Sequence, residues 1–281
     1  MLEIIKVIII GIIEGITEWL PISSTGHMIL AEQFLKLNVR QEFWEMFLVV
    51  IQFGAIMAVI VLYFPRLWPF HRVDSRESGA YKVISRKKLD MWLKILVSCL
   101  PAVILGLPLD NWLQEHFYNY LTVAVMLIAY GISFILVENR NRRLTPTMRA
   151  IRQIDWKTAL LIGCFQVLAL IPGTSRSGAT ILGGIVLGMT RKTASEYTFF
   201  LAVPVMLGAS LLKLFKFGFH FQGMEAAYLI IGMVVAFFVS IFAIKFLMKY
   251  IRNHDFKAFG WYRIILGAIV ILYFVITSAV A

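Results

Sequence analysis

Six stretches of this chain, near 43 to 64, 91 to 109, 118 to 138, 197 to 217, 226 to 249 and 260 to 280, are apolar almost without interruption. A hydrocarbon core about 30 Å thick needs about 20 apolar helical residues per crossing, and each stretch meets that length. With 60% hydrophobic and 15% charged residues, the chain has too little polar surface to coat a soluble globule. Leu, Ile, Phe and Gly run through the stretches without the short alternating segments of an outer-membrane barrel. The expected fold is therefore an all-α integral membrane protein.

The net charge of +11 is not a nucleic-acid signal, because the basic residues gather in the links between apolar runs. Arg66, Arg72, Arg76, Lys82, Arg86, Lys87 and Lys88 occupy the link from 65 to 90. Arg140, Arg142, Arg143, Arg149, Arg152 and Lys157 occupy that from 139 to 157. Both links are expected to be cytoplasmic by the positive-inside rule, as is the link with Lys249, Arg252 and Lys257; anionic lipid headgroups suit the same loops. Glu14 and Glu18 interrupt the first apolar stretch, and no cleavage site follows, so it does not read as a signal peptide. Cys99 and Cys164 lack metal-ligand spacing and read as packing residues. The seven tryptophans lie mostly near span ends, as in an interfacial belt.

Two further apolar runs are broken in the same way. GIIEGITEWLPISSTGHMIL from Gly11 lies without gaps over GCFQVLALIPGTSRSGATIL from Gly163, matching Glu14 with Gln166, Ser23 with Ser175, Thr25 with Ser177 and Gly26 with Gly178. Matching polar interruptions point to duplication. Three spans follow each break, an odd number, so the second copy must enter the bilayer from the opposite side. Neither broken run has halves of about 20 residues. The reading is an inverted-topology repeat: six transmembrane helices plus two re-entrant helical hairpins, in one integrated membrane domain. Residues 1–140 form the first repeat, with its hairpin at 1–38, and 141–281 the second, with its hairpin at 157–190. Irregular backbone at membrane depth must be buried or line a wet cavity, which marks the breaks as a site.

Arg176 needs an anionic partner at that depth. Gly173, Ser175, Ser177 and Gly178 surround it with exposed amides and hydroxyls, beside a helix N-terminus, a pattern that suits an oxyanion or phosphate; a salt bridge to Glu14 or Glu18 is compatible. Glu14 and Glu18 share one helix face. Two such acids repel each other unless a cation joins them, and Mg²⁺ or Ca²⁺ favours carboxylates plus substrate phosphate. Alternatively, one pairs with Arg176 while the other stays protonated. Beyond Pro21, Ser23, Ser24, Thr25 and Gly26 lead to His27, and a serine beside a histidine is a candidate nucleophile. Thr180 either adds a hydroxyl to the cradle or bonds back to its own helix. Inverted repeats with broken helices also build transporter cores, so a transporter or flippase of a phosphorylated lipid is the competing reading.

EGITEWLPISSTGH and PGTSRSGATI resemble the two signature stretches of the bacterial undecaprenyl-diphosphate phosphatases, also called bacitracin-resistance proteins. The resemblance implies a hydrolase of the bacterial plasma (inner) membrane, with its active site facing the outside or periplasm. It implies removal of one phosphate from a C55 polyprenyl diphosphate lipid, which recycles the carrier for peptidoglycan synthesis and confers bacitracin resistance. A divalent cation, Mg or Ca, comes with it. Catalytic roles carry over to Glu18, Ser24, His27 and Arg176, metal binding to Glu14 and Glu18, and substrate binding to Thr25, Gly26, Ser175, Arg176, Ser177, Gly178 and Thr180. Membrane lipids are the other expected partners, nucleic acid is not, and a homodimer is left open.

Overall fold

Ten α-helices account for most of the computed structural model, which describes residues 1–75, 79–218 and 220–280. They are α1 (Leu2–Thr17), α2 (Ser24–Leu35), α3 (Gln41–Leu67), α4 (Arg86–Phe117), α5 (Tyr120–Asn141), α6 (Trp156–Val167), α7 (Arg176–Val186), α8 (Arg191–Phe217), α9 (Glu225–Tyr250) and α10 (Lys257–Val280). Six are long and apolar enough to cross a membrane, and they cover the six apolar stretches. The other four, α1, α2, α6 and α7, hold 16, 12, 12 and 11 residues, short of the roughly 20 a crossing needs.

One element departs from an all-helical reading: β1 (Phe70–Ser75) pairs antiparallel with β2 (Gly79–Ile84) in the first basic link. The ribbon lies between spans, where hydropathy over long windows carries no strand signal. Arg76 lies outside the described residues.

Hydrogen bonds at helix ends determine which ends lie together. Arg40, just before α3, donates to both carboxylate oxygens of Glu225 at the start of α9, at 3.1 and 2.7 Å. Arg191 at the start of α8 does the same to Glu138 near the end of α5, at 2.8 and 2.6 Å, and Glu138 also accepts from the Phe256 amide ahead of α10. Lys88 of α4 donates to the carbonyls of Pro65 and Trp68 at the end of α3. The six long helices therefore alternate in direction. All three basic links fall at one end, and the α4–α5 link falls at the other.

Both ends of the first broken pair return to the same end. Glu3 of α1 accepts from the Asn38 amide beyond α2, and Lys6 donates to the Lys36 carbonyl, each at 3.0 Å. The second pair returns to the end with the basic links, where the Thr147 and Met148 amides donate to the carbonyl of Gly188, just past α7.

Lipid is as apolar as leucine, so helices associate closely only where small residues let backbones approach. Gly131 of α5 faces Gly260 of α10: a Cβ on either would lie 2.6 or 2.7 Å from the other's carbonyl oxygen. Gly11 sets α1 against the Gly232 carbonyl of α9, and its sequence counterpart Gly163 sets α6 against the Ser98 carbonyl of α4. Each broken helix thus packs on a span of the other half.

Two of the tryptophans are packed inside the protein. Trp19 and Trp44 are buried, because each lies beside a chain break that neighbouring helices cover. Trp19 meets Phe199 edge-on at 5.4 Å, and Trp44 donates to Glu32 at 3.0 Å. Cys99 and Cys164 are both free thiols.

Replacing Gly131 by Val forces α5 and α10 apart, and overpacking of this kind costs about 1–3 kcal/mol. A clear fall in the thermal midpoint of the detergent-solubilised protein is expected; an unchanged midpoint would show that this contact does not hold the pair together.

Candidate active site

Both breaks end in a strained serine. Ser23 (φ 74°) and Ser175 (φ 70°) have positive φ, and no other non-glycine among the described residues does. Such a conformation costs about 1–3 kcal/mol and persists only where the surroundings impose it. Here each serine caps the helix that follows: Ser23 Oγ accepts from the Gly26 amide at 3.3 Å and Ser175 Oγ from the Gly178 amide at 3.2 Å. The amides of Ser24, Thr25, Arg176 and Ser177, in the first turns of α2 and α7, have no acceptor inside their helices. Two positive helix ends therefore open onto the breaks.

One carboxylate joins the breaks. Glu18 Oε1 accepts from Arg176 Nη2 at 2.8 Å, and Glu18 Oε2 accepts from Ser24 Oγ at 2.9 Å. The Arg176 and Glu18 side chains are only 12% and 8% exposed, so this is an ion pair held away from water. Arg176 also donates to the Thr198 carbonyl at 3.3 Å, which fixes the guanidinium against α8. Ser177 adds a second tie by donating to the Leu20 carbonyl at 3.4 Å, and it lies 3.1 Å from Ser175 Oγ.

His27 is engaged elsewhere. Its Nδ1 lies 2.7 Å from the Ser23 carbonyl oxygen, which can only accept, so Nδ1 carries the proton. In the neutral ring Nε2 then accepts from the Tyr262 hydroxyl at 2.6 Å, and the two rings stack. The expected Ser24–His27 pair is thus not hydrogen-bonded; the group in contact with the Ser24 hydroxyl is Glu18. Thr180 takes the second of its two expected courses: its hydroxyl bonds back to the Arg176 carbonyl at 2.9 Å and accepts from Thr198 Oγ1 at 2.9 Å, buttressing Arg176 from behind. Gly26 and Gly178 serve close approach, since a Cβ would meet Leu127 at 3.0 Å in one case and Arg263 Nη1 at 2.9 Å in the other.

Arg263, inside the span of α10, went unnoticed in the sequence. Fully buried, it donates to the Pro21 carbonyl of the first break at 3.2 Å and to the Gly173 and Thr174 carbonyls of the second at 2.8 and 2.7 Å. Its guanidinium lies over the Tyr130 ring at 5.4 Å, and no ion pair to an acid compensates it among the described residues. The rule that singled out Arg176, a charge at membrane depth, applies equally to Arg263 and was the available signal.

Glu14 lies one turn before Glu18, almost wholly buried, with its Oε1 unpartnered; Gln166, its counterpart in the second run, also has both amide atoms unpartnered. No three His, Cys, Asp or Glu side chains gather as a ligand set among the described residues. Two acids with one orphaned oxygen do fit a hard cation completed by substrate oxygens, the usual Mg²⁺ arrangement.

Comparison with known proteins shows the family of the chain. The family model described as bacitracin resistance protein BacA matches residues 7–269. An undecaprenyl-diphosphatase of Acetivibrio thermocellus is 59% identical over 274 residues, covering 98% of each chain. Undecaprenyl-diphosphatase 1 of Clostridium acetobutylicum is 57% identical, again over 98% of each. An undecaprenyl-diphosphatase of Enterococcus faecalis is 54% identical over 96% of this chain and 97% of its own.

Replacing Arg263 by Met leaves three carbonyls without their charged donor, each such bond contributing about 1.5–3 kcal/mol. Amide hydrogen exchange across residues 171–176 should speed up by at least about tenfold while the α5–α10 contact keeps its protection. Unchanged exchange at the break would remove the clamp role.

Proposed function

The chain belongs to the bacitracin resistance protein BacA family, and on that premise we propose that it hydrolyses undecaprenyl diphosphate to undecaprenyl phosphate and inorganic phosphate. The observation that carries the reading is the Glu18 carboxylate, which receives the Ser24 hydroxyl on one oxygen and the Arg176 guanidinium on the other. A hydroxyl held by a base beside a fork that binds phosphate is the minimum a phosphate ester exchange requires.

Phosphoryl transfer depends mainly on positioning and charge neutralisation. Arg176, the hydroxyls of Ser175 and Ser177, and the free amides at the starts of α2 and α7 receive the terminal phosphate. As the guanidinium turns to the incoming anion, Glu18 Oε1 is released. The Ser24 oxygen attacks the terminal phosphorus, Glu18 takes its proton, and the bond to the bridging oxygen breaks, so the lipid leaves as monophosphate. Water then cleaves the phosphoserine and releases inorganic phosphate. His27 and the partly exposed Tyr262 form a hydrogen-bonded pair that can pass the proton out of the site. Glu14 and Glu18 would hold the divalent cation, Mg²⁺ or Ca²⁺, which neutralises diphosphate charge when bound.

The same reading sets the protein in the bacterial plasma membrane as an inverted repeat of 1–140 and 141–281, with its two hairpins entering from opposite faces. Supporting this are the exchanged contacts of α1 with α9 and α6 with α4, and the paired serine caps. Supporting an outward site are the three basic links at the end opposite the α4–α5 link. The Val123 carbonyl near that link also closes on Gly173, where a Cβ would lie 2.5 Å away. Spent carrier lipid from wall synthesis is then within reach, and consuming the diphosphate removes the species that bacitracin captures.

Purified protein should release phosphate from undecaprenyl diphosphate in detergent with no ion gradient, which a transporter would not do. Arg176→Lys keeps the charge but loses the two-point contact, and kcat is expected to drop about 10²–10³-fold, as for other preorganised donors; near-normal turnover would contradict the site. Chelation should abolish release, with Mg²⁺ or Ca²⁺ restoring it. Glu14→Gln is expected to raise the cation concentration needed for half-maximal rate while leaving the thermal midpoint in place.

A further inference from the structure

A cleft of about 170 Å³ lies against both breaks, bordered by Thr25, Gly106, Leu113, Tyr118, Leu170 and Pro172. Thr25 directly follows Ser24, and Pro172 directly precedes the Gly173 carbonyl held by Arg263. On one side the cleft is thus lined by immediate chain neighbours of the phosphate site. On the other it runs along the last part of α4 to the α4–α5 link. No charged side chain among the described residues borders it. The Thr25 hydroxyl, at the join between polar site and apolar cleft, makes no hydrogen bond among the described residues.

We infer that this cleft binds the first isoprene units of the prenyl chain, with Thr25 donating to the phosphate that stays on the lipid. The inference rests on the polyprenyl diphosphatase reading and adds where the chain leaves the phosphate site. Its size decides how much of the chain it takes: pockets that enclose a whole drug-sized molecule run to about 300–1,000 Å³, so this one holds only the part of the chain next to the diphosphate. The remainder passes into lipid past Leu113 and Tyr118. Gly106 keeps the cleft open. A Cβ there would lie 3.2 Å from Leu170 Cδ2, the flexible end of a side chain lining the opposite wall, so a larger residue at 106 fills the cleft while the backbone stays in place.

The test separates chain binding from phosphate binding in the full-length protein. Gly106→Leu and, from the other wall, Leu113→Trp are each assayed with farnesyl diphosphate as substrate and with inorganic diphosphate, which has no chain, as competitive inhibitor. Loss of apolar complementarity in a pocket changes discrimination by about tenfold or more. KM for the prenyl substrate should therefore rise about tenfold in both variants, with kcat and the inhibition constant for inorganic diphosphate within about twofold of the parent, the pattern of lost ground-state binding. Unchanged KM in both variants, or a parallel rise in the inhibition constant, would overturn the cleft. A second arm needs no turnover. A prenyl diphosphate with a diazirine on its first isoprene unit should label residues 106–118 and 169–172, and Gly106→Leu should suppress that labelling. Labels confined to other helices would overturn it. If the parent protein releases no phosphate from any prenyl diphosphate, the hydrolase reading fails, and photolabelling alone decides the cleft.

Discussion

A carbonyl or amide without a partner inside hydrocarbon costs several kcal/mol, and two chain interruptions present such groups close to one another. Arg263 meets this demand with a single side chain that reaches carbonyls of both interruptions. Because its partners are neutral carbonyls, no carboxylate among the described residues offsets the guanidinium charge. The same device that makes the breaks tolerable therefore leaves a cation behind them. Together with Arg176 and the exposed starts of α2 and α7, it gives the meeting point a positive field that favours an anion of high charge density.

Opposing that field is a pair of acids with different surroundings. Glu18 is fully engaged by Arg176 and Ser24, whereas Glu14, one turn away, has a bare oxygen. On the proposed reading, Arg176 would take the anion and the unspent Glu14 carboxylate would help hold a divalent cation. The serine caps and the Thr180–Thr198 buttress fix the backbone around Ser24 and Arg176, so the proposed exchange asks for little movement beyond the side chains themselves.

The spans were legible because a crossing demands length and greasiness that no other element shows at once. Glu14, Glu18, Ser24 and Arg176 were legible for the opposite reason, as polar residues where polarity is costly. Arg263 escaped because it lies in an uninterrupted helix, with no Pro, Gly-Ser or second charge nearby to mark a break. The choice of Glu18 over His27 as partner of Ser24 escaped as well: both are close in sequence, and only the positive φ at Ser23 turns the serine back toward α1. Trp19 looked like an anchor from its flanks but packs inside the protein against Phe199, since neighbouring helices cover the break beside it. The ribbon of β1 and β2 is a local feature of a polar link, where neither periodicity nor charge distinguishes strand from loop over six residues.

The crossing of partners between halves has a bearing on biogenesis. α1 rests on α9, which begins about 200 residues after α1 ends; at about 5–20 residues per second a ribosome needs some 10–40 s to deliver that surface. Until Arg176 is made, about 160 residues after α1 ends, Glu14 and Glu18 have no basic partner from the second half, and Arg263 follows later still. The packing surface of α1 on α9 is completed only when that late helix arrives. Closure of both breaks by Arg263 is thus among the last events of synthesis.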